Sequence, residues 1–167
     1  ALNQAMDEEL ARDERVFLIG EDIGLYGGVF GVTKGLIQKY GPKRVRQTAI
    51  SESAIIGAAI GSAMLGLRPV AEIMYFDFIA VCMDQVINQA AKMRYMSGGA
   101  FSVPLVIRTT IGAGTSSAAQ HSQNLQALFL QVPGLKIAVP SCPRDAKGLL
   151  KSAIRGEDPV LFVEHQR

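Results

Sequence analysis

Residues 45–74, VRQTAISESAIIGAAIGSAMLGLRPVAEIM, carry the pattern from which the fold follows. Val45 to Ile50 is a short run that reads as a buried strand, Ser53 to Leu65 repeats its apolar residues at helical spacing, and Pro69 to Met74 returns to a strand pattern behind glycine and proline. Strand, helix, strand in succession is the crossover unit of a parallel sheet. The alternation continues in both directions. Val16 to Ile19, Pro104 to Thr109, Leu135 to Val139 and Val160 to Val163 read as further strands. Helical periodicity is predicted for Leu2 to Arg12, Thr33 to Tyr40, Phe78 to Met96, Gln123 to Leu130 and Arg144 to Arg155. The expected fold is therefore α/β: one domain over 1–167, a mostly parallel sheet flanked by helices on both faces.

Within this crossover, Thr48 to Leu67 contains one group that ionises near neutral pH, Glu52. A carboxylate isolated among apolar residues tends to hold its proton, because burial penalises the charged form. Such a group can exchange a proton at pH 7. The competing reading is structural: Glu52 sits in the first turn of a helix beginning near Ser51, where exposed amides favour an acid.

Apolar residues make up 49% of the chain and charged residues 19%, a balance that leaves apolar surface for another chain. The longest charge-free stretch, Ser53 to Leu67, is too short and too glycine-rich to cross a bilayer, so no membrane segment is expected. Seventeen basic against fifteen acidic residues are scattered without a basic stripe, which argues against nucleic acid. Cys82 and Cys142 lie far apart without metal-ligand spacing, and an intracellular setting fits them best. The start at Ala1 and the stop after an apolar run at Arg167 read as a piece of something longer.

Ligands of such sheets gather at the carboxyl ends of strands. Glu21-Asp22, Ser51-Glu52 and Tyr75 to Phe78 follow strands there, and Ile111 to Gln120 leads into His121. Neither Gly24 to Gly28 nor Gly112 to Gly114 completes a dinucleotide fingerprint, and there is no Walker lysine. Gly57 and Gly61 share one helical face, suited either to packing within the chain or to a seam with a second chain. His121, one of two histidines, lies near a predicted helix start, as a cap or as a proton-handling group. Tyr75, Phe76 and Phe78 suit either core or a flat face for a ring. Ser51, Ser53 and Ser122 bring no nucleophile elbow, and nothing near Cys142 suggests an acceptor.

Taken together, GEDIG (20–24), ISE (50–52), GLRPVAEIMYFDF (66–78), DQVINQAAKMRYMSGG (84–99), AAQHSQ (118–123) and PGLKIAVPSCPRDAKGLLKSAIR (133–155) resemble a known family along the whole chain. That family is the E1 component β subunit of 2-oxo acid dehydrogenase complexes, at its amino-terminal, transketolase-like pyrimidine-binding domain. LVIRT, GAG and AAQHSQ look most like the pyruvate and acetoin dehydrogenase types, with branched-chain enzymes a near alternative. The resemblance implies thiamin diphosphate as cofactor, Glu52 bonded to N1′ of its aminopyrimidine, Glu21 supporting that pocket, Ile50 flanking the ring and Phe78 stacking on it. His121 would face the reactive carbon and assist acyl transfer. Backbone carbonyls of Leu105, Ala153, Ile154, Gly156 and Asp158 would hold a potassium ion.

By the same resemblance, magnesium and the diphosphate belong mainly to an E1 α subunit in an α2β2 heterotetramer, with a second β subunit and a lipoyl-bearing E2 as further partners. A cytoplasmic location is implied for a bacterial or archaeal source. The diphosphate motif and the carboxyl-terminal domain have no counterpart here, so this stretch alone is expected to be inactive. Where relatives usually have an acid and a proline, this chain has Gln47 and Ala49. Two rivals remain: a non-catalytic assembly module of the same fold, and a different thiamin enzyme of transketolase type.

Overall fold

The computed structural model describes residues 1–166. Six strands form one sheet: β1 (Val16–Glu21), β2 (Val45–Thr48), β3 (Arg68–Tyr75), β4 (Val106–Ile111), β5 (Lys136–Ala138) and β6 (Val160–His165). Their order is β2-β1-β3-β4-β6-β5, and every pair is parallel. Buried apolar residues line both faces of the inner strands, as a sheet covered on two sides requires.

One face packs against α3 (Glu52–Met64) through Ile55, Ile56, Ala59, Ile60 and Ala63, which meet Phe17, Ile19, Ala71, Ile73 and Ile107. The other face packs against α1 (Leu2–Arg12), α2 (Leu36–Tyr40) and α5 (Pro143–Arg155), through Met6, Leu10, Leu36, Leu150 and Ile154. Burial of one such aliphatic side chain contributes roughly 1.5 to 3 kcal/mol before chain entropy is counted. Ion pairs then fix α1 on α5: Glu8 bonds Lys147 at 2.7 Å and Lys151 at 2.5 Å, and Glu9 bonds Arg155 at 2.6 Å while also pairing with Arg12 of its own helix at 2.8 Å.

Four expectations about local structure change. Residues 78–96 do not form one α-helix: a 3-10 segment (Phe76–Cys82) leads into a π turn (Gln85–Ala90) and then α4 (Met93–Met96). Phe76, Ile79 and Cys82 are all fully buried at a spacing of three, and a 3-10 helix is the conformation that stacks such a row on one face. Residues 123–130 contain only a 3-10 turn at Gln126–Phe129, and α2 begins at Leu36 because Gly35 before it takes φ +85°. β2 ends at Thr48, so Ala49 and Ile50 belong to the turn into α3.

The run VIRTTI also conceals a charge. Arg108 on β4 is 3% exposed, bonded through Nε to Glu164 Oε1 and through Nη1 to Glu72 Oε2, both at 2.6 Å, so three neighbouring strands share one buried ionic triad. Removing one member would strand a charge in the interior, a cost of about 3 to 5 kcal/mol.

Candidate functional site

From β1 the chain leaves to β2 on one side and comes back to β3 on the other, and the carboxyl ends of β1 and β3, where the direction reverses, are the position at which sheets of this kind open a crevice for ligands. Glu21 ends β1, and Glu52 opens α3 just beyond β2. Burial first, then the charge of Glu52, holds the Glu21 carboxyl above its ordinary range, although the Ser51 backbone amide donates toward it. Glu52 also reaches the far wall. The buried Cys82 thiol is pushed up to about 12, by burial first and by Glu52 second. Glu52, itself half-buried, thus lies between β1 and the 3-10 segment after β3. Among the described residues no cation stands within ion-pair distance of Glu21 or Glu52.

The loops of the crevice are tied down by side chains the sequence did not flag. Gln47, one of the two departures, accepts the Gly24 amide at 3.2 Å, and a Cβ on Gly24 would lie 2.5 Å from that oxygen. A side chain there would push aside the end of Gln47. Thr33 Oγ1 donates to Ile23 O at 2.8 Å and closes the loop after β1, which turns through Gly27 and Gly28 at positive φ. Asp22 takes φ +51° beside Glu21, a strained conformation of the kind kept at functional sites. The register sets Thr48 opposite Glu21, and its Oγ1 is buried without a hydrogen-bond partner.

An aromatic cluster forms the second half of the crevice. Tyr75 packs edge-on against His121 at 4.6 Å between ring centres, Phe30 at 5.8 Å and Phe78 at 5.9 Å, and Phe78 meets His121 at 5.3 Å. A register shift between Ile73 and Tyr75 re-aims the end of β3, and Thr110 Oγ1 donates to Met74 O at 2.7 Å within it. His121 closes a 3-10 turn (Ala119–His121); it does not open a helix, so the cap reading has no helix to serve. Its loop bends through Ser116 at φ +54° and Ala118 at φ +63°.

Expected site residues therefore fall into groups. Glu21 lies near Glu52, and Phe78 meets His121, both pairs at the carboxyl end of the sheet. Ile50 lies on the rim, 81% exposed, an apolar side chain with nothing of this chain covering it. Leu105, Ala153, Ile154, Gly156 and Asp158 lie at the opposite end of the sheet, before β4 and β6. There Arg68 Nη1 donates to Ile154 O at 3.0 Å and to Gly156 O at 2.8 Å, Val160 N donates to Leu105 O, and Gly156 N donates to Ala153 O. Among the described residues no cluster of three or more His, Cys, Asp or Glu side chains is placed to hold a metal ion, and no helix is long and apolar enough to cross a membrane.

Sequence reasoning missed Phe30 and, within the stretch Tyr75 to Phe78, gave Asp77 no role of its own. Asp77 is 9% exposed; its Oδ1 accepts Gln123 Nε2 at 2.7 Å, and its Oδ2 is buried without a partner. The signal available for Phe30 was an aromatic between glycines in a loop leaving a strand's carboxyl end.

Residues 1–167 match a family described as "Transketolase, pyrimidine binding domain". Among curated relatives, the 2-oxoisovalerate dehydrogenase subunit beta of Bacillus subtilis (strain 168) is 53% identical over 167 residues, covering 100% of this chain and 51% of the relative. The acetoin:2,6-dichlorophenolindophenol oxidoreductase subunit beta of the same organism is 54% identical over 176 residues, covering 98% and 52%. The mitochondrial pyruvate dehydrogenase E1 component subunit beta of Bos taurus is 53% identical over 166 residues, covering 99% and 46%. The chain spans about half the length of these relatives. Among solved structures, "Split gene transketolase, inactive beta4 tetramer" superimposes with a TM-score of 0.76 at 20% identity, over 99% of this chain and 49% of that one, a likeness of fold.

Proposed function

Because the chain belongs to the transketolase pyrimidine-binding domain family, we propose that it supplies the pyrimidine side of a thiamin diphosphate site in an E1 β subunit. The reaction is oxidative decarboxylation of pyruvate, or cleavage of acetoin, with acyl transfer to a lipoyl-bearing E2. A branched-chain 2-oxo acid is the alternative substrate, and identities of 53% and 54% to relatives named for each do not choose between them.

The observation that carries this reading is the pair Glu21 and Glu52, which act on each other with no cation within ion-pair distance among the described residues, together with the ring cluster of Tyr75, Phe78 and His121 that follows β3. An aminopyrimidine needs a flat apolar face, a carboxyl group for a ring nitrogen and a donor or acceptor at its edge. Phe78, Glu52 and the unpartnered Thr48 Oγ1 meet those needs in kind. When bound, the cofactor supplies an acidic thiazolium carbon and an electron sink. Glu52 would hold or give the proton at N1′. Glu21, whose carboxyl is raised by burial and by the charge of Glu52, would support that pocket from the end of β1. Ile50 and Phe78 would bracket the ring, and His121 would hold a proton beside the substrate for acyl transfer.

The diphosphate and its magnesium are assigned to an E1 α chain in an α2β2 heterotetramer that includes a second β chain. Support for a protein seam comes from α3, where Gly57 and Gly61 are exposed, a Cβ added at either would meet nothing within 4 Å, and Leu65 at the end of the helix is 86% exposed. A cytoplasmic location belongs to the same proposal. Potassium at the far corner carries a condition: the oxygens of Ile154 and Gly156 each accept an N–H from the Arg68 guanidinium, so an ion there would have to use their remaining lone pairs beside that positive charge.

Glu52→Gln tests the reading in the complete enzyme. Assembly and folding should persist, while deuterium exchange at the cofactor's C2 should slow by roughly 10² to 10⁴, the usual worth of a positioned proton-transfer group. Wild-type exchange in the variant would return Glu52 to the role of a first-turn acid on α3.

A further inference from the structure

His121 hangs from a loop, Ile111 to Leu125, that contains no α-helix or strand after β4 ends. A proton donor must be held to within a fraction of an ångström, since a misplacement of about 1 Å can cost roughly 10²-fold in rate. The loop's own bonds are few. Ser122 Oγ donates to Ala118 O at 2.8 Å, and Gln166 Nε2 donates to His121 O at 3.2 Å. Neither touches the imidazole.

What meets the ring comes from the end of β3 and the 3-10 segment after it. Tyr75 presents its ring edge-on at 4.6 Å with an interplanar angle of 80°. Two residues on, Asp77 Oδ1 accepts both Gln123 Nε2, at 2.7 Å, and Gln123 N, at 3.4 Å, and so clasps the chain two residues past His121. Asp77 does this at a cost in stability, because its Oδ2 is buried with no partner and an unpaired buried acceptor is unfavourable. A residue selected only for packing would not be a half-satisfied carboxylate.

We propose that Tyr75 and Asp77 are positioning residues for His121, Tyr75 fixing the plane of the imidazole and Asp77 fixing the backbone that carries it. The β-bulge at Met74 is part of the device, since it redirects Tyr75 out of the regular alternation of β3. This rests on the reading of His121 as the proton-holding group of acyl transfer.

The test uses the complete enzyme at saturating cofactor, comparing transfer to a lipoyl domain with turnover of an artificial electron acceptor. Tyr75→Ala and Asp77→Ala should each lower the ratio of transfer to acceptor turnover by roughly 10- to 100-fold. Tyr75→Phe, which keeps the ring, and Asp77→Asn, which keeps the accepting oxygen, should restore it. In a His121→Ala background neither substitution should lower the ratio further. Should Tyr75→Ala fail to assemble, Tyr75→Leu keeps most of the volume and loses the ring edge, and is expected to lower the ratio likewise. A lowered ratio in His121→Ala with an unchanged ratio in the Tyr75 and Asp77 variants overturns the positioning roles alone. An unchanged ratio in His121→Ala overturns the transfer role of His121 and these two roles with it.

Discussion

Glu8 and Glu9 belong to the seam between α1 and α5 and Asp13 caps α1, while Glu21 and Glu52 stand at the head of the sheet, and the two groups show one chemistry in opposite settings. In the first group every carboxylate has cations against it. Lys147 and Lys151 hold Glu8 down to about 2, and Arg15, assisted by Arg68, holds Asp13 down to about 2 against some burial. Glu9, whose burial pushes it upward, is still brought below its ordinary value by Arg155 and Arg12. In the crevice the direction reverses, because Glu21 is raised by burial and by the like charge of Glu52, with no cation to offset either. Acids that hold a fold together are neutralised by partners; acids left to push on each other cost stability, the arrangement expected of a site that carries chemistry.

The largest effect should come from breaking the seam at its buried member. The Glu9 side chain has no exposed surface, and Arg155 and Arg12 both bond to it from partly exposed positions. Glu9→Ala should cost about 2 kcal/mol, the order of a lost charge-assisted bond network with its partners still able to reach water. Chemical denaturation at pH 7 measures it. A loss below about 0.5 kcal/mol would place Glu9 with ordinary surface pairs.

Acid should then separate the two regions by sign. Asp13 and Glu8 have lowered values, so their contribution is complete above the ordinary carboxyl range and disappears as pH falls through it toward about 2. Glu21 has a raised value, so its ionisation destabilises the folded chain as pH rises through the ordinary range, and protonation relieves that strain. Amide hydrogen exchange between pH 5 and pH 2 should therefore show α1 losing protection before the β1 and β3 core, more so in high salt, which screens the exposed Glu8 pairs. Simultaneous loss in both regions would contradict the division.

The smallest effect carries the opposite sign. Glu21→Gln removes a charge that repels Glu52 and keeps an oxygen for the Ser51 amide, so the melting temperature at pH 7 should rise, by less than Glu9→Ala lowers it. A lowered melting temperature would make Glu21 a structural acid like those of α1.

Much of this is legible in the chain itself. All six strands are, four of them because each is a mostly apolar run between glycine, proline or charge, and the edge strands β2 and β5 because each is a short stretch between turn residues and a helix or loop. Glu52 is, because nothing else in its helix ionises. The segment 78–96 misleads because it reads with helical periodicity, whereas Phe76, Ile79 and Cys82 repeat every three residues. Arg108 is hidden because its partners, Glu72 and Glu164, come from strands 36 and 56 positions away. Tyr75 and Asp77 do not rise above core residues in the sequence, since their significance depends on a bulge set by pairing with β4 and on a loop brought back from residues 121–123. Gly57 and Gly61 leave two readings, and the exposed face of α3 removes packing within the described residues as the explanation.

Carboxyl-carbon NMR titration of Glu21, in the protein and in its Glu52→Gln variant, addresses the uncompensated pair most directly. Glu21 should titrate above 4.5, and its value should fall when Glu52 loses its charge. A Glu21 that titrates at or below 4.5, or that ignores Glu52→Gln, would contradict the account.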